Sequence, residues 1–352
     1  MDADLSDALA QTVRAAASGE PLQIVGGGSK SFYGRAARGK PLPVAGHRGI
    51  VDHEPTELVI TARAGTTLRD LEAALATHHQ MLAFEPPHFG AEATLGGTIA
   101  CGFSGPRRPY AGSARDFMLG ARIINGKGEI LSFGGRVMKN VAGYDVSRLM
   151  VGALGTLGVL LDISLKVLPR PTAELTLTFN LSAEQAIAKM NACAARPLPL
   201  SAACHLRDTL YIRVSGSEET VRAAHAQLGG DRRTDGEEFW RGLREHQLDF
   251  FKTDTPLWRL SVPPAAPLAP LSGEWLIDWG GTQRWLKSNA RPTEVWEAAA
   301  ASSGHATLFR GGDRAGEVFQ PLPAALARLH ANLKRAFDPA GVLNPGRYST
   351  AW

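Results

Sequence analysis

A Gly26-Gly27-Gly28 turn follows a strand-like Leu22-Gln23-Ile24-Val25, and 15 of the chain's 38 glycines fall between Gly90 and Gly158. The second group is no linker, because Leu, Ile, Val and Phe are interleaved through ATLGGTIACGFSG and GYDVSRLMVGALGTLGVL. Glycine among core-forming residues signals positive φ or close backbone approach in a packed setting. The ligand such backbone suits is a large anionic group held by main-chain N–H donors. Taken singly, each cluster has a plainer reading: a tight turn at Gly26–Gly28 and helix packing at Gly96-Gly97. Two glycine turns facing each other across one pyrophosphate account for both.

Known phosphate modes narrow the ligand. A dinucleotide turn of the form Gly-x-Gly-x-x-Gly finds Gly26 and Gly28, but Ser31 holds the third place. Its acidic residue about 20 positions on is also missing, since Val44-Ala45-Gly46 stands there. A P-loop fails because Gly126-Lys127 is followed by Gly128 and Ala121 replaces the first glycine. Gly152-x-x-Gly155-x-x-Gly158 lacks a preceding strand of the dinucleotide kind. NAD and ATP modes are therefore disfavoured.

The elements that must position these turns are legible in outline. Leu5, Ala8, Leu9 and Val13 predict a helix that Gly19 ends. Strands are predicted at Glu57–Ala64, Met81–Phe84 and Leu157–Leu168, the last closed by Pro169 and Pro171. Thr67 reads as the N-cap of a helix running to His79. Ile123–Leu131 has the form of a hairpin with Asn-Gly or Gly-Lys at its turn. Further on come strands near 175–179, 202–206 and 210–214, helices from Ser182 and Ser217, and a helix from Pro323 that stops before Asp338-Pro339. His47, His53, His78 and His79 read as surface or helix-end residues.

Composition shifts near residue 171. All seven tryptophans follow it, whereas 24 of the 38 glycines precede it. The expected division is residues 1–171, a second domain at 172–335, and a tail at 336–352 that returns to the first. The net charge of +4 comes from scattered residues, which argues against a nucleic-acid surface. Cys101, Cys193 and Cys204 lack CxxC spacing, so a disulfide framework or zinc cluster is not expected and a reducing compartment fits. The N-terminus is acidic without an apolar h-region, and the apolar run Leu149–Leu161 is too short to span a bilayer. A cytoplasmic location is expected, with any attachment to the inner face of the membrane made through partners.

Four motifs in order resemble one known family. Val25-Gly26-Gly27-Gly28-Ser29-Lys30 with Gly34, then Ala93–Ala100 and Gly102-Phe103-Ser104-Gly105 with Tyr110 and Gly112, are similar to the flavin-binding domain of the vanillyl-alcohol oxidase or PCMH type. Tyr144-Asp145, Arg148-Leu149 and Val151–Val159 resemble that family's third segment. Phe337–Arg347 resembles its C-terminal tail. The resemblance implies an α+β protein: a two-subdomain FAD-binding domain, an α+β cap, and a tail packed back on the first domain. It implies FAD contacts from Gly26, Gly27, Gly28, Ser29, Lys30, Gly34, Pro87, Thr94, Gly96, Gly97, Ala100, Cys101, Gly102, Ser104, Gly105, Gly155, Gly158, Val159, Asn344 and Arg347. Many relatives place a flavin-linked histidine just after the first glycine triplet. Ser29-Lys30 stands there, so FAD is expected to be non-covalent, and no metal is expected.

Within the family, the length and the Trp279–Trp285 stretch resemble the FAD-binding subunit of bacterial glycolate oxidases. That implies oxidation of a small 2-hydroxy acid, which needs a cation for the carboxylate, a base for the hydroxyl proton and the flavin as hydride acceptor. Arg310 and His305 are the leading candidates, with Arg259, Arg284 and Arg347 as other cations. His305 reads equally as a strand-end histidine, and Arg259 and Arg284 read more readily as stacked on neighbouring indoles. Relatives that oxidise D-2-hydroxy acids carry a His-x-His segment, but Thr307 replaces the second histidine here, so that metal site is expected to be lost. The resemblance further implies a second FAD-containing glycolate oxidase subunit and an iron–sulfur subunit as partners. A self-sufficient 2-hydroxy-acid dehydrogenase and a non-catalytic assembly subunit with structural FAD are the competing readings.

Overall fold

A computed structural model describes residues 2–135 and 145–351. The N-terminal part carries β1 (Leu22–Val25), β2 (Lys40–Pro43), β3 (Ile50–Glu54), β4 (Val59–Arg63), β5 (Gln80–Met81), β6 (Met118–Ile124), β7 (Ile130–Gly134), β8 (Val159–Lys166) and β9 (Leu168–Pro169). β3, β4, β8, β6 and β7 form an antiparallel sheet in that order. β8 is its central strand, and its apolar residues are buried on both faces. Leu160, Ile163 and Leu165 pack with Leu68, Leu71 and Leu75 of the helix Leu68–Ala76, whereas Val159 and Leu161 pack with Leu9 and Val13 of the helix Ser6–Ala16. A strand covered on both sides reads as a near-continuous apolar run, which is why the sequence signal there is strong. β1 and β2 form a separate parallel pair.

The second part carries β10 (Ala173–Asn180), β11 (Leu200–Leu206), β12 (Thr209–Gly216), β13 (Asp231–Arg233), β14 (Leu257–Ser261), β15 (Glu274–Asp278), β16 (Gln283–Lys287) and β17 (His305–Arg310). They make one eight-stranded sheet ordered β13-β10-β12-β11-β15-β16-β14-β17. Helices Ala183–Ala194 and Glu218–Leu228 cover one half of its outer face, and Pro292–Ala301 covers the other. Ser182 and Ser217 cap the first two through their hydroxyls, and Thr67 caps Leu68–Ala76 in the same way.

The inner face of the large sheet packs on loops of the N-terminal part. Tyr33, Phe103 and Leu154 share one core with Ala202, Cys204, Leu276, Trp285 and Phe309. Charge reinforces this seam: the Arg213 guanidinium donates to both Glu85 oxygens at 2.8 and 2.9 Å, and Arg107 bridges Glu85 and Glu174. The tail after the helix Ala324–Phe337 returns to β1, where Leu22 N donates to Val342 O at 2.7 Å and Asn344 N to Leu22 O at 2.9 Å.

Several local expectations are corrected. Only Gln80–Met81 of the segment before Phe84 is strand. The β6–β7 connection is not a two-residue turn but a five-residue loop, held by Asn125 Oδ1 accepting from Lys127 N and Glu129 N at 3.0 Å each. His47 is not a surface residue. It is fully buried, and its Nδ1 accepts from Leu5 N at 3.0 Å.

Candidate functional site

The turn after β1 presents a run of unused donors. The backbone N–H groups of Gly26, Gly27, Gly28, Ser29 and Lys30 have no acceptor among the described residues, although Ser31 N already donates to Gly28 O. Close approach dictates glycine here. A Cβ on Gly27 would lie 1.4 Å from Glu92 O, whereas Gly28, at φ 73°, faces open space. Five successive amides opening on a cavity make a nest for an anion. Lys30 adds charge: its Nζ donates to His88 O at 3.0 Å, and burial pushes its pKa down to about 8 against the pull of Cys101 and Glu245.

These residues line one wall of a cleft that is open to solvent at its mouth. The opposite wall is the helix Leu95–Cys101, capped by Thr94, whose Oγ1 accepts from Gly97 N at 3.2 Å. The amides of this second motif are already bonded within the protein: Leu95 N to Thr66 O and Gly96 N to Ala64 O. Gly96 is needed for packing, since its Cβ would sit 2.7 Å from Ala64 Cβ. The two glycine turns therefore differ in what they offer. The first supplies donors, and the second supplies a thin wall.

The tail fixes the walls to each other. Asn344 Oδ1 accepts from Ile24 N at 2.7 Å while its Nδ2 donates to Leu154 O at 2.7 Å. Arg347 donates to Arg35 O and Ser31 O, behind the amide turn. Cys101 lines the cleft as a thiol that burial pushes up to about 11, which makes it a packing group.

The cleft lining brings together Gly26, Gly27, Gly28, Ser29, Lys30, Thr94, Gly96, Gly97, Ala100, Cys101, Gly155, Gly158, Asn344 and Arg347. Gly34, Gly102 and Val159 are not part of that lining. Tyr144 lies outside the described residues. Pro87, Ser104 and Gly105 line a smaller pocket between the N-terminal part and the large sheet.

That second pocket holds the titratable groups that sequence reasoning did not single out. His246 and Asp278 line it, together with Arg259, Gln283, Phe309 and Trp285. Arg259 does not stack on an indole. Its guanidinium lies 5.6 Å from the Tyr33 and Phe309 ring centroids and donates to the Tyr33 hydroxyl at 2.9 Å. Burial pushes the Asp278 carboxyl up to about 7. His246 is held well below the usual imidazole range by burial and by the Arg310 and Arg259 charges. Only the chance proximity of distant chain segments marks these residues, so periodicity and spacing carry no trace of them.

The leading catalytic candidates lie elsewhere. His305 stands exposed at the start of β17 and lines neither pocket, its pKa lowered by partial burial and by Arg259. Arg310, at the other end of the strand, lies 4.5 Å from the Phe32 ring centroid and also lines neither. Arg284 is structural, donating to Gly281 O and Ala266 O. Among the described residues, no cluster of three or more His, Cys, Asp or Glu is placed to hold a metal.

Comparison with known proteins agrees with the geometry. Residues 3–134 match the FAD binding domain family. The glycolate oxidase subunit GlcE of Escherichia coli (strain K12) is 52% identical over 347 residues, covering 98% of both chains. A D-lactate dehydrogenase of Archaeoglobus fulgidus is 34% identical over 170 residues, which is 47% of this chain and 38% of that protein. Among solved structures, p-cresol methylhydroxylase superposes with a TM-score of 0.71 at 15% identity, covering 100% of this chain and 89% of that one. Alkyldihydroxyacetonephosphate synthase superposes at 0.67 and 15% identity, over 96% of this chain and 74% of that one. The amide nest, the thin glycine wall and the returning tail fit an FAD cofactor within a PCMH-type fold, and the chain belongs to the family of the glycolate oxidase subunit GlcE.

Proposed function

We propose that this chain is the FAD-binding subunit of a glycolate oxidase complex, taking part in oxidation of glycolate to glyoxylate and passing electrons to a partner iron–sulfur subunit. The observation that carries the reading is the 52% identity to a glycolate oxidase subunit across 98% of both chains. Bound FAD supplies a two-electron acceptor. The chain's own part is to hold and orient it. In this reading the amides of residues 26–30 receive the diphosphate, Lys30 offsets its charge, and Asn344 keeps the two walls in register. The three cysteines are fewer than the four thiolates of a common iron–sulfur cluster, so the onward electron path is assigned to a partner. No helix among the described residues is long and apolar enough to cross a membrane, so attachment to the inner membrane face, in this reading, is made by the assembled complex.

The test compares the purified chain with the chain co-expressed with its companion subunits, following glycolate-driven reduction of an artificial dye. The subunit reading expects little turnover alone and a large gain in the complex. Robust turnover by the chain alone would contradict it and favour a self-sufficient 2-hydroxy-acid dehydrogenase. No gain in a complex that does assemble would favour the assembly subunit with structural FAD.

A further inference from the structure

We infer that the pocket between the N-terminal part and the large sheet takes a small 2-hydroxy carboxylate, with the Arg259 guanidinium on the carboxylate and the His246 imidazole accepting the hydroxyl's hydrogen bond. The ligand's class rests on the function proposed above; the assignment of residues rests on the pocket itself.

Arg259 is a cation among aromatic rings whose one hydrogen-bonding partner among the described residues is the neutral Tyr33 hydroxyl. This half-buried guanidinium lines the pocket with no carboxylate on it among the described residues, and its planar fork matches a carboxylate in two-point contact. Arg310 is a second cation nearby, its guanidinium 4.5 Å from the Phe32 ring centroid and 5.6 Å from that of Phe89. The nearby Glu245 does not neutralise them. Its carboxylate accepts from His88 N at 3.0 Å, Phe89 N at 2.9 Å and Arg244 Nε at 2.8 Å. That clamp fixes the end of the helix Gly236–Arg244 to the N-terminal part and thereby places the next residue, His246.

The His246 ring is stacked on Phe251 with centroids 3.9 Å apart and meets Trp285 edge-on at 4.7 Å. Its Nδ1 is sealed from solvent without a partner among the described residues, so the ring nitrogen within reach of a ligand in the pocket is Nε2. Burial and the two arginine charges hold the ring neutral, which leaves Nε2 able to accept. Asp278 is the pocket's other candidate acceptor, but its oxygens already receive Trp279 N at 2.7 Å and Gln283 Nε2 at 3.1 Å. His246 would take the hydroxyl proton, and FAD, held by the residues of the neighbouring cleft, would supply the two-electron acceptor for the Cα hydrogen. The carbon–oxygen bond becomes a carbonyl, and atoms and charge balance.

The test uses the FAD-loaded chain with its flavin reduced by dithionite, so that glycolate binds without being oxidised. Calorimetric titrations with glycolate and acetate differ only in the hydroxyl. Unaltered protein should bind glycolate about tenfold more tightly than acetate. Arg259→Met should weaken both acids by about a hundredfold, with Arg259→Lys in between, and retained FAD certifies that each variant is folded. His246→Phe should bind the two acids equally. The inference is overturned if the unaltered protein binds no glycolate or if Arg259→Met binds as tightly as the parent. It is equally overturned if discrimination survives in His246→Phe, or is lost in Asp278→Asn instead. None of these outcomes bears on the subunit assignment, which is decided by activity gained in the complex.

Discussion

Replacing Lys334 by methionine tests how the tail holds the FAD cleft together. Lys334 and Asp338 are 4% and 1% exposed, one turn apart at the end of the helix Ala324–Phe337. The Lys334 ammonium donates to Asp338 Oδ2 at 2.6 Å and to Thr156 O and Leu343 O at 2.8 Å each. Asp338 in turn accepts from Val342 N at 3.0 Å and Leu343 N at 2.8 Å, which aims the tail at β1. Removing one partner of a buried pair leaves an uncompensated charge and costs about 3–5 kcal/mol. The two backbone donors still serving Asp338 place Lys334→Met near the lower end, about 3 kcal/mol. For a chain of 352 residues that lowers the melting temperature by about 4 °C. Because Asn344 and Arg347 follow directly, FAD should be released ahead of global unfolding. Thermal scans that follow flavin fluorescence and near-ultraviolet circular dichroism together read both events. Adding Asp338→Asn removes the orphaned charge and should recover part of the loss. A melting shift below about 2 °C, or a double variant less stable than the single one, would refute the ion-pair argument.

Other outcomes follow from the cleft. Gly27→Ala should abolish FAD retention, because a methyl group 1.4 Å from Glu92 O displaces the amide nest; a variant purified with full flavin content would count against it. Asn344→Ala removes two hydrogen bonds and should weaken FAD about 5- to 150-fold, roughly 1–3 kcal/mol, measured by equilibrium dialysis. The lowered Lys30 pKa of about 8 sets a pH dependence. A phosphate prefers the ammonium form, so affinity should be flat below pH 8 and fall as pH rises above it, and Lys30→Met should erase that slope. An unchanged slope in the variant would exclude Lys30 from the site.

Local chemistry was readable where one residue decides a conformation. The hydroxyls of Thr67, Ser182 and Ser217 cap helices at the expected positions, and Asp338 stops the last helix before Pro339. The triplet Gly26–Gly28 suggests an anion site, and its amides line the cleft without an acceptor among the described residues. The roles within the second glycine motif were not readable, because a glycine that thins a wall and one that offers an N–H look alike in a sequence. Burial of His47 depends on Leu5 and Asp162 from far along the chain, and no local pattern encodes it. The second pocket is harder still. Arg259, Asp278 and Phe309 come from three strands of the eight-stranded sheet and meet Phe103 and His246 from loops, and strands β14, β15 and β16 lack a clean alternation.

The central claim is that this chain holds FAD non-covalently in the cleft opened by residues 26–30. Purifying the protein and recording its visible spectrum before and after acid or heat denaturation tests it most directly. The account predicts a yellow protein whose flavin passes wholly into the supernatant and is recovered as FAD, since Ser29 and Lys30 stand where a histidyl link would form. A colourless protein that takes up no added FAD would contradict the claim, and flavin that stays on the denatured chain would contradict its non-covalent part.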